Sequence, residues 1–148
     1  MKTFVRQPAT LACLFIWIGL VCGISFLEAW LKFRAPGITV PLGLGIGRLV
    51  FNALNKVEWV LAIIVIANAI RHNYSFLSAR NAFLLIAVIV LALQTLWLLP
   101  TLDARAQLVI TNQPLPPSNL HYAFIGAEVL KTACLFATAI GHFEKGAT

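Results

Sequence analysis

Four long runs of apolar residues constrain the fold of this sequence more than any other feature. Each run is long enough to cross a bilayer as a helix, which takes about 20 residues. The 148-residue chain is 60% apolar and 11% charged, whereas soluble domains are roughly 25% charged. A soluble domain of this length has too little interior to bury so much apolar surface. The sequence therefore predicts one all-α domain over residues 1–148, a polytopic bundle of four transmembrane helices in contact with the lipid bilayer.

Breaks in the apolar pattern give approximate helix boundaries. Between the first two helices, Ile38–Gly47 is apolar but contains Pro41 and three glycines, which is too broken for a regular span. We expect a Gly/Pro-rich connection there: a loop, a re-entrant segment or a surface helix. Ser118 or Asn119 can cap the last helix. The expected helices run from about Pro8 to Phe33, Gly47 to Ile70, Ala79 to Leu99, and from the Ser118–Asn119 cap to Ile140.

The basic residues indicate membrane topology rather than nucleic-acid binding. The net charge is +6, but the basic residues are scattered at helix ends and in short connections, with no basic face or tail. The apolar run after Lys2 and Arg6 is longer than the ~7–15 residues of a signal-peptide core, so we expect it to be retained. Four spans place both termini on one side. The basic residues are divided almost equally between the two sides, but several on the second side are expected inside the bundle, so we expect cytoplasmic termini. We expect a bacterial inner-membrane protein whose "NQPLPPSN" connection is periplasmic.

Polar and ionisable residues form stripes on the expected helices. Charges inside spans cost roughly 2.5–3.5 kcal/mol each, so these side chains should turn inward and find partners. Lys56 points away from the stripe of helix two and can extend towards the interface. In helix one, Glu28 and Lys32 have the four-residue spacing that favours an ion pair. The predicted polar site inside the bundle comprises Glu28 of helix one, Arg48, Asn52, Asn55 and Glu58 of helix two, and His121, Glu128 and Lys131 of helix four.

Two interpretations of this polar network stay open. It is either an internal clasp that fixes the register of the helices, or a site that binds or translocates a small polar or amphiphilic molecule. The Glu-x-x-His spacing of carboxylate–histidine metal sites is absent, and no serine lies in a nucleophile elbow. Cys13, Cys22 and Cys134 form no CxxC motif. The sequence therefore identifies no catalytic residue, metal site or cofactor.

Glycine spacing indicates close packing of helices. Gly19 and Gly23, and again Gly43 and Gly47, have the GxxxG spacing that lets helix backbones approach each other. A glycine-rich segment ahead of a helix that carries Arg48 is also compatible with an anion at the helix N-terminus. A bent connection that packs against the bundle is the simpler interpretation.

Two pairs of stretches in the sequence resemble known families. "LWLLPTLDAR" at the end of helix three and "SNLHYAFIGAE" at the start of helix four resemble small four-helix bacterial membrane proteins of unassigned function, over most of the chain. "GISFLEAWLKF" and "VEWVLAIIVI" are similar to the DoxX-like family over about half of the chain. The second resemblance implies quinone or thiol redox chemistry, although Glu28 has no counterpart in that pattern.

Three hypotheses about function follow. The first is binding, with or without transport, of a small polar or amphiphilic molecule inside the bundle. The second is an accessory or assembly subunit, within a larger membrane complex or a homo-oligomer. The third, implied by the DoxX-like resemblance, is a quinone-linked redox component. The first fits the polar stripes best, and it makes binding the expectation rather than catalysis.

Overall fold

The computed structural model describes residues 3–5, 7–72 and 79–145, and it confirms the predicted all-α membrane fold. Two short strands, β1 (Thr3–Val5) and β2 (Phe143–Lys145), pair antiparallel and hold the two ends of the chain together. The described ends of the chain, Thr3 and Lys145, therefore lie at the same end of the bundle. The four helices long and apolar enough to cross a membrane are α1 (Pro8–Arg34), α2 (Val40–Arg71), α3 (Ala82–Ile110, helical from Ala79) and α4 (Leu120–Ile140).

The helices form a ring in which α1 packs against α2 and α4, and α3 packs against α4 and, through its second half, against α2. Leu14, Trp17, Leu91 and Leu135 are fully buried at the centre of the apolar core. Large apolar side chains also cover the outside, including Leu49, which is 75% exposed. An exterior of this kind is stable against lipid tails, so the chain is a multi-pass membrane protein.

The connection between α1 and α2 is shorter than the sequence predicts. Ile38–Gly47 is not an irregular segment, because α2 already begins at Val40. Pro41 lies in the first turn, where its missing N–H has no helical partner to lose, and Thr39 caps the helix by accepting a bond from Leu42 N. Gly43 faces α1, and a Cβ at this position would overlap the Phe33 ring. Gly43 therefore allows α2 to pack closely against α1, and the glycines do not break the helix.

Helix α3 is longer than predicted, because it passes through Pro100 and ends at Ile110. Proline has no N–H to donate, and its ring displaces the carbonyl four residues earlier. The chain accommodates this with a wide π-type turn at Gln94–Leu98, just ahead of the proline. In lipid an unpaired backbone group is costly, so a widened turn is more stable than a broken helix.

Wide and tight turns also modify α1, whose predicted end is close to the observed one. A π-type segment covers Cys22–Glu28 and a tight final turn covers Lys32–Arg34. Helix α4 starts where it is expected, with Asn119 as the N-cap residue, but the Asn119 side chain makes no capping hydrogen bond. Ser118 Oγ, one residue earlier, accepts a hydrogen bond from Leu120 N at 3.2 Å.

Candidate functional site

The length of α4 indicates how deep each polar group lies. Its 21 residues span about 31 Å at 1.5 Å per residue, which matches a hydrocarbon core ~30 Å thick. Glu128 and Lys131 then lie about 12 and 16 Å from the start of α4, near the middle of the bilayer. His121 lies in the first turn, at the boundary on the side of the 111–119 connection.

Three ionisable side chains meet at the middle of the bundle, and we call them the buried ion cluster: Glu58, Glu128 and Lys131. Lys131 Nζ lies 2.5 Å from Glu58 Oε1 and 3.1 Å from Glu128 Oε2. None of the three side chains is more than 3% exposed. One ammonium group thus faces two carboxyl groups from two different helices, well away from water.

Uncharged donors and acceptors from the other two helices complete the environment of the buried ion cluster. Trp17 Nε1 on α1 donates to Glu58 Oε1 at 2.7 Å, and Gln94 Oε1 on α3 accepts from Lys131 Nζ at 2.7 Å. Both side chains are almost fully buried. All four helices therefore contribute a side chain to one polar assembly at the centre of the membrane.

A second polar contact lies beside the cluster and joins α2 to α3. Thr95 Oγ1 accepts hydrogen bonds from Asn55 Nδ2 at 3.0 Å and from Trp59 Nε1 at 2.9 Å. It also donates to Leu91 O within its own helix. Gln94 and Thr95 are adjacent residues in the wide turn. Gln94 forms its hydrogen bond with α4, and Thr95 forms hydrogen bonds with α2. The turn before Pro100 therefore supplies polar side chains to both neighbouring helices.

A separate cavity of about 140 Å³ lies where α1 ends, α2 begins, α3 ends and α4 begins. We call it the interfacial pocket, because His121 places it at the bilayer boundary. Most of its wall is apolar or aromatic, and its polar lining is concentrated in a few side chains. The pocket is lined by Ala29, Lys32 and Phe33 of α1, Gly43, Leu44, Gly47, Arg48, Phe51 and Asn52 of α2, Leu99, Leu102, Asp103 and Ala106 of α3, and His121 and Phe124 of α4.

Both cations of the interfacial pocket are paired. The Arg48 guanidinium forms a two-pronged ion pair with Asp103, with Nη2 2.8 Å from Oδ2, and it also donates to Gln107. Lys32 Nζ lies 3.3 Å from Glu28 Oε2 and 5.5 Å from the ring centroids of Phe33 and Phe51. The pocket therefore presents fixed, nearly charge-balanced polar groups beside aromatic surface.

Three apolar side chains separate the pocket from the buried ion cluster. Phe51, Leu99 and Phe124 line the interfacial pocket and also the narrow cleft that contains Glu58 and Glu128. The Phe51 and Phe124 rings pack edge to face, with their centroids 5.4 Å apart. The cleft contains no water-sized space. A single layer of side chains thus closes the cluster towards the pocket.

The structure divides seven of the eight predicted site residues between two places. Glu58, Glu128 and Lys131 form the buried ion cluster, and Asn55 is buried beside it. Arg48, Asn52 and His121 line the interfacial pocket. Glu28 lines neither, is 29% exposed, and reaches the pocket only through its partner Lys32. The eight residues therefore do not surround one common space, and their role in binding stays a prediction.

Four residues of these two places were not among the predicted site residues: Trp17, Gln94, Thr95 and Asp103. Gln94 and Thr95 are the polar pair in the otherwise apolar run from Ala82 to Leu99, which was a usable signal. Asp103 follows Pro100 and lies beyond the expected end of helix three at Leu99. It was therefore not considered as a partner for Arg48 inside the bundle. Trp17 carries no pattern that separates it from a core tryptophan.

Lys56 points outward from α2, as predicted. Its side chain is exposed, whereas the neighbouring Asn55 and Glu58 are buried in the bundle. Helical side chains tilt towards the helix N-terminus, which for α2 is the pocket end of the bundle. The ammonium group can therefore extend towards the nearer bilayer boundary.

The described residues contain no group of three or more His, Cys, Asp or Glu side chains placed to hold a metal ion. Comparison of the chain with protein-family models, curated proteins and solved structures gave no match. The two family resemblances therefore stay predictions, and the function has to be argued from the geometry of the pocket and the cluster.

Proposed function

We propose that this protein binds a small amphiphilic molecule in the interfacial pocket of a bacterial inner membrane. The observation that carries the proposal is the composition of the wall, which is mostly aromatic and aliphatic and includes a few charged groups, Arg48, Asp103 and Lys32. An apolar cavity with a few convergent polar groups is the usual form of a small-molecule site. Its place at the bilayer boundary suits a ligand with one apolar and one polar end.

The size of the pocket limits what can enter it. Its volume of about 140 Å³ is close to that of a protein cavity, ~150 Å³, that takes up one benzene molecule. We therefore expect one six-membered ring or a short alkyl segment to occupy the pocket. A longer tail would extend between the helices into lipid.

The charges of the pocket define the polar end of the ligand. Arg48 is balanced by Asp103, and Lys32 by Glu28, so no uncompensated cation attracts a multiply charged anion. Guanidinium, ammonium, amide and imidazole groups nevertheless offer several hydrogen-bond donors in the wall of the cavity. A neutral or singly charged head that accepts hydrogen bonds fits best, and a quinone ring is one example.

A ligand-dependent melting shift tests the proposal. The protein, purified in nanodiscs, is heated with decanoic acid, decylamine, 1-decanol or a short-chain ubiquinone. A ligand at 100 times its Kd stabilises the folded state by about 2.7 kcal/mol, which raises the unfolding temperature. We expect a shift with at least one acceptor head group and none with decylamine, whose ammonium group would face Lys32 and Arg48.

Two alanines on α3 provide a matched pair of variants. Ala106 is buried and lines the pocket, whereas Ala104 is exposed two residues away. Ala106→Phe should fill the cavity and abolish the shift, and Ala104→Phe should retain it. A shift that survives Ala106→Phe, or the absence of a shift with every probe, would contradict binding in this pocket.

The test also addresses the other two hypotheses. A ubiquinone-specific shift would favour the quinone-linked redox component. A protein that shifts with no probe and loses stability outside its native membrane would favour the accessory or assembly subunit, in a homo-oligomer or a larger complex.

A further inference from the structure

We propose that the buried ion cluster binds one exchangeable proton, held on Glu128, and that this proton enters and leaves through the interfacial pocket. The proposal does not depend on which amphiphile the pocket binds. It follows from the charge count of the cluster, the unequal partners of its two carboxyl groups, and the thin layer that separates it from the pocket.

The charge count requires a proton if the cluster is to be neutral. Glu58 of α2, Glu128 of α4 and Lys131 of α4 face one another, whereas α1 and α3 contribute the uncharged Trp17 and Gln94. Cys134, one turn beyond Lys131, is a neutral thiol at ordinary pH. Fully ionised, the cluster would carry one net negative charge at the centre of the membrane. Because an uncompensated buried charge is very costly, one carboxyl group takes up a proton instead.

Unequal hydrogen bonding identifies Glu128 as the protonated group. Glu58 Oε1 accepts from Trp17 at 2.7 Å and lies 2.5 Å from Lys131 Nζ, so two donors stabilise its charge. Glu128 Oε2 lies 3.1 Å from the same ammonium group, which already serves Glu58 and Gln94. Donors that bond to a carboxylate favour its charged form. The negative charge therefore resides on Glu58 and the proton on Glu128.

The cluster is separated from water by a thinner layer of side chains on the pocket side than on the side of the chain termini. We therefore expect the proton to enter and leave on the pocket side. Towards the pocket, only Phe51, Leu99 and Phe124 intervene, and each of them also lines the cavity. Towards the chain termini, the fully buried Leu14, Trp17 and Leu135 belong to the continuous apolar core. Rotation of the Phe51 or Phe124 ring is a smaller movement than opening that core. Water that enters from the pocket can then reach Glu128.

Infrared spectroscopy of the protein in nanodiscs tests this directly, because the chain has only five Asp and Glu residues. A protonated carboxyl group has a C=O stretching band distinct from that of a carboxylate, and the band shifts when deuterium replaces the proton. We expect the wild-type protein at neutral pH to show one such band, and the band to shift in D₂O. The absence of a protonated-carboxyl band, or a band that never exchanges, would overturn the proposal.

Substitutions then assign the band. Glu128→Gln and Glu58→Gln should each abolish it, because the remaining carboxylate then balances Lys131. Lys131→Met should roughly double its intensity, because both carboxyl groups become protonated. Glu128→Asp should move the band and Glu58→Asp should leave it in place. Asp103→Asn and Glu28→Gln, which alter carboxylates outside the cluster, should retain it. A band that persists in both Gln variants of the cluster would refute the assignment.

The route is tested by the rate of exchange after rapid mixing with D₂O. Phe51→Ala should accelerate the shift of the band at least severalfold, because it thins the layer on the pocket side. Leu135→Ala is the matched control on the terminal side, and it should leave the rate close to that of the wild type. Faster exchange in Leu135→Ala than in Phe51→Ala would place the route on the opposite side.

Discussion

At the scale of single residues, the buried ion cluster presents the central question of this molecule. A buried ion pair gains Coulombic energy but loses hydration, and the balance is often close to zero against a well-packed apolar alternative. Lys131 contacts Glu58, Glu128 and Gln94 together, so three helices depend on one ammonium group. Its contribution to stability can therefore be separated from its contribution to function.

Removal of the ammonium group alone should be strongly destabilising. Lys131→Met leaves the buried Glu58 carboxylate without its counter-ion, so this group must either stay charged or take up a proton, and the expected cost is about 3–5 kcal/mol. In a triple variant, Glu58→Gln, Glu128→Leu and Lys131→Met together, no charge remains, and the amide oxygen introduced at position 58 still accepts from the Trp17 indole. We expect the stability of this variant to lie within about 1 kcal/mol of that of the wild type. Unfolding temperatures in nanodiscs measure both changes.

The triple variant separates the clasp from the functional site. If it is as unstable as Lys131→Met, the ionic contacts themselves hold the helices together, and the clasp interpretation stands. If it folds as stably as the wild type, the cluster is dispensable for the fold, and its charges serve another purpose.

At the scale of whole helices, the number of elements was predictable from the sequence but their ends were not. Each of the four apolar runs meets the length that a bilayer requires, which identifies the helices. The start of α2 and the end of α3 were misplaced, because Pro41 and Pro100 look like breaks in a sequence but are accommodated in a first turn and beside a wide turn. In lipid, the cost of unpaired backbone groups favours continuing the helix.

The candidate sites were predictable only within each helix. Helical spacing correctly turned Asn55, Glu58 and Glu128 inward. It could not show that Glu58 meets Lys131 while Arg48 meets Asp103, because the rotation and relative height of neighbouring helices depend on packing across the whole bundle. That packing separates the interfacial pocket from the buried ion cluster.

A pair of glycines on α2 tests the packing at the junction of α1 and α2. A Cβ at Gly43 would overlap the Phe33 ring, whereas at Gly45 nothing lies within 4 Å. Alanine favours a helix over glycine by roughly 0.5–1 kcal/mol, so Gly45→Ala should be neutral or slightly stabilising. Gly43→Ala should instead cost about 1–3 kcal/mol, because Phe33 must move from its contact. Equal unfolding temperatures for the two variants would contradict the close approach of the helices.

At the scale of the whole molecule, the pairing of β1 with β2 places both chain ends on one side of the bundle. The structure also shows which basic residues are held in contacts and so count less as free loop charges that set the orientation in the membrane. Lys32 and Arg48 are held in ion pairs at the interfacial pocket, and Arg105 donates to Pro116 O. Fewer free loop charges then remain at the pocket end. At the other end, the sequence places Lys2, Arg6, Arg71, Arg80 and Lys145.

This imbalance strengthens the expectation that both termini are cytoplasmic, because basic residues in short loops near the spans are retained on that side. The interfacial pocket would then open at the periplasmic boundary, where an amphiphile in the outer leaflet can reach it. Alkaline phosphatase is active only in the periplasm, so a fusion inserted near Pro116 should be active and one at Thr148 inactive. A fluorescent-protein fusion at Thr148 should be bright. The opposite pattern would reverse the orientation of the bundle, place the pocket at the cytoplasmic boundary, and make the cytoplasm the source of the proposed Glu128 proton.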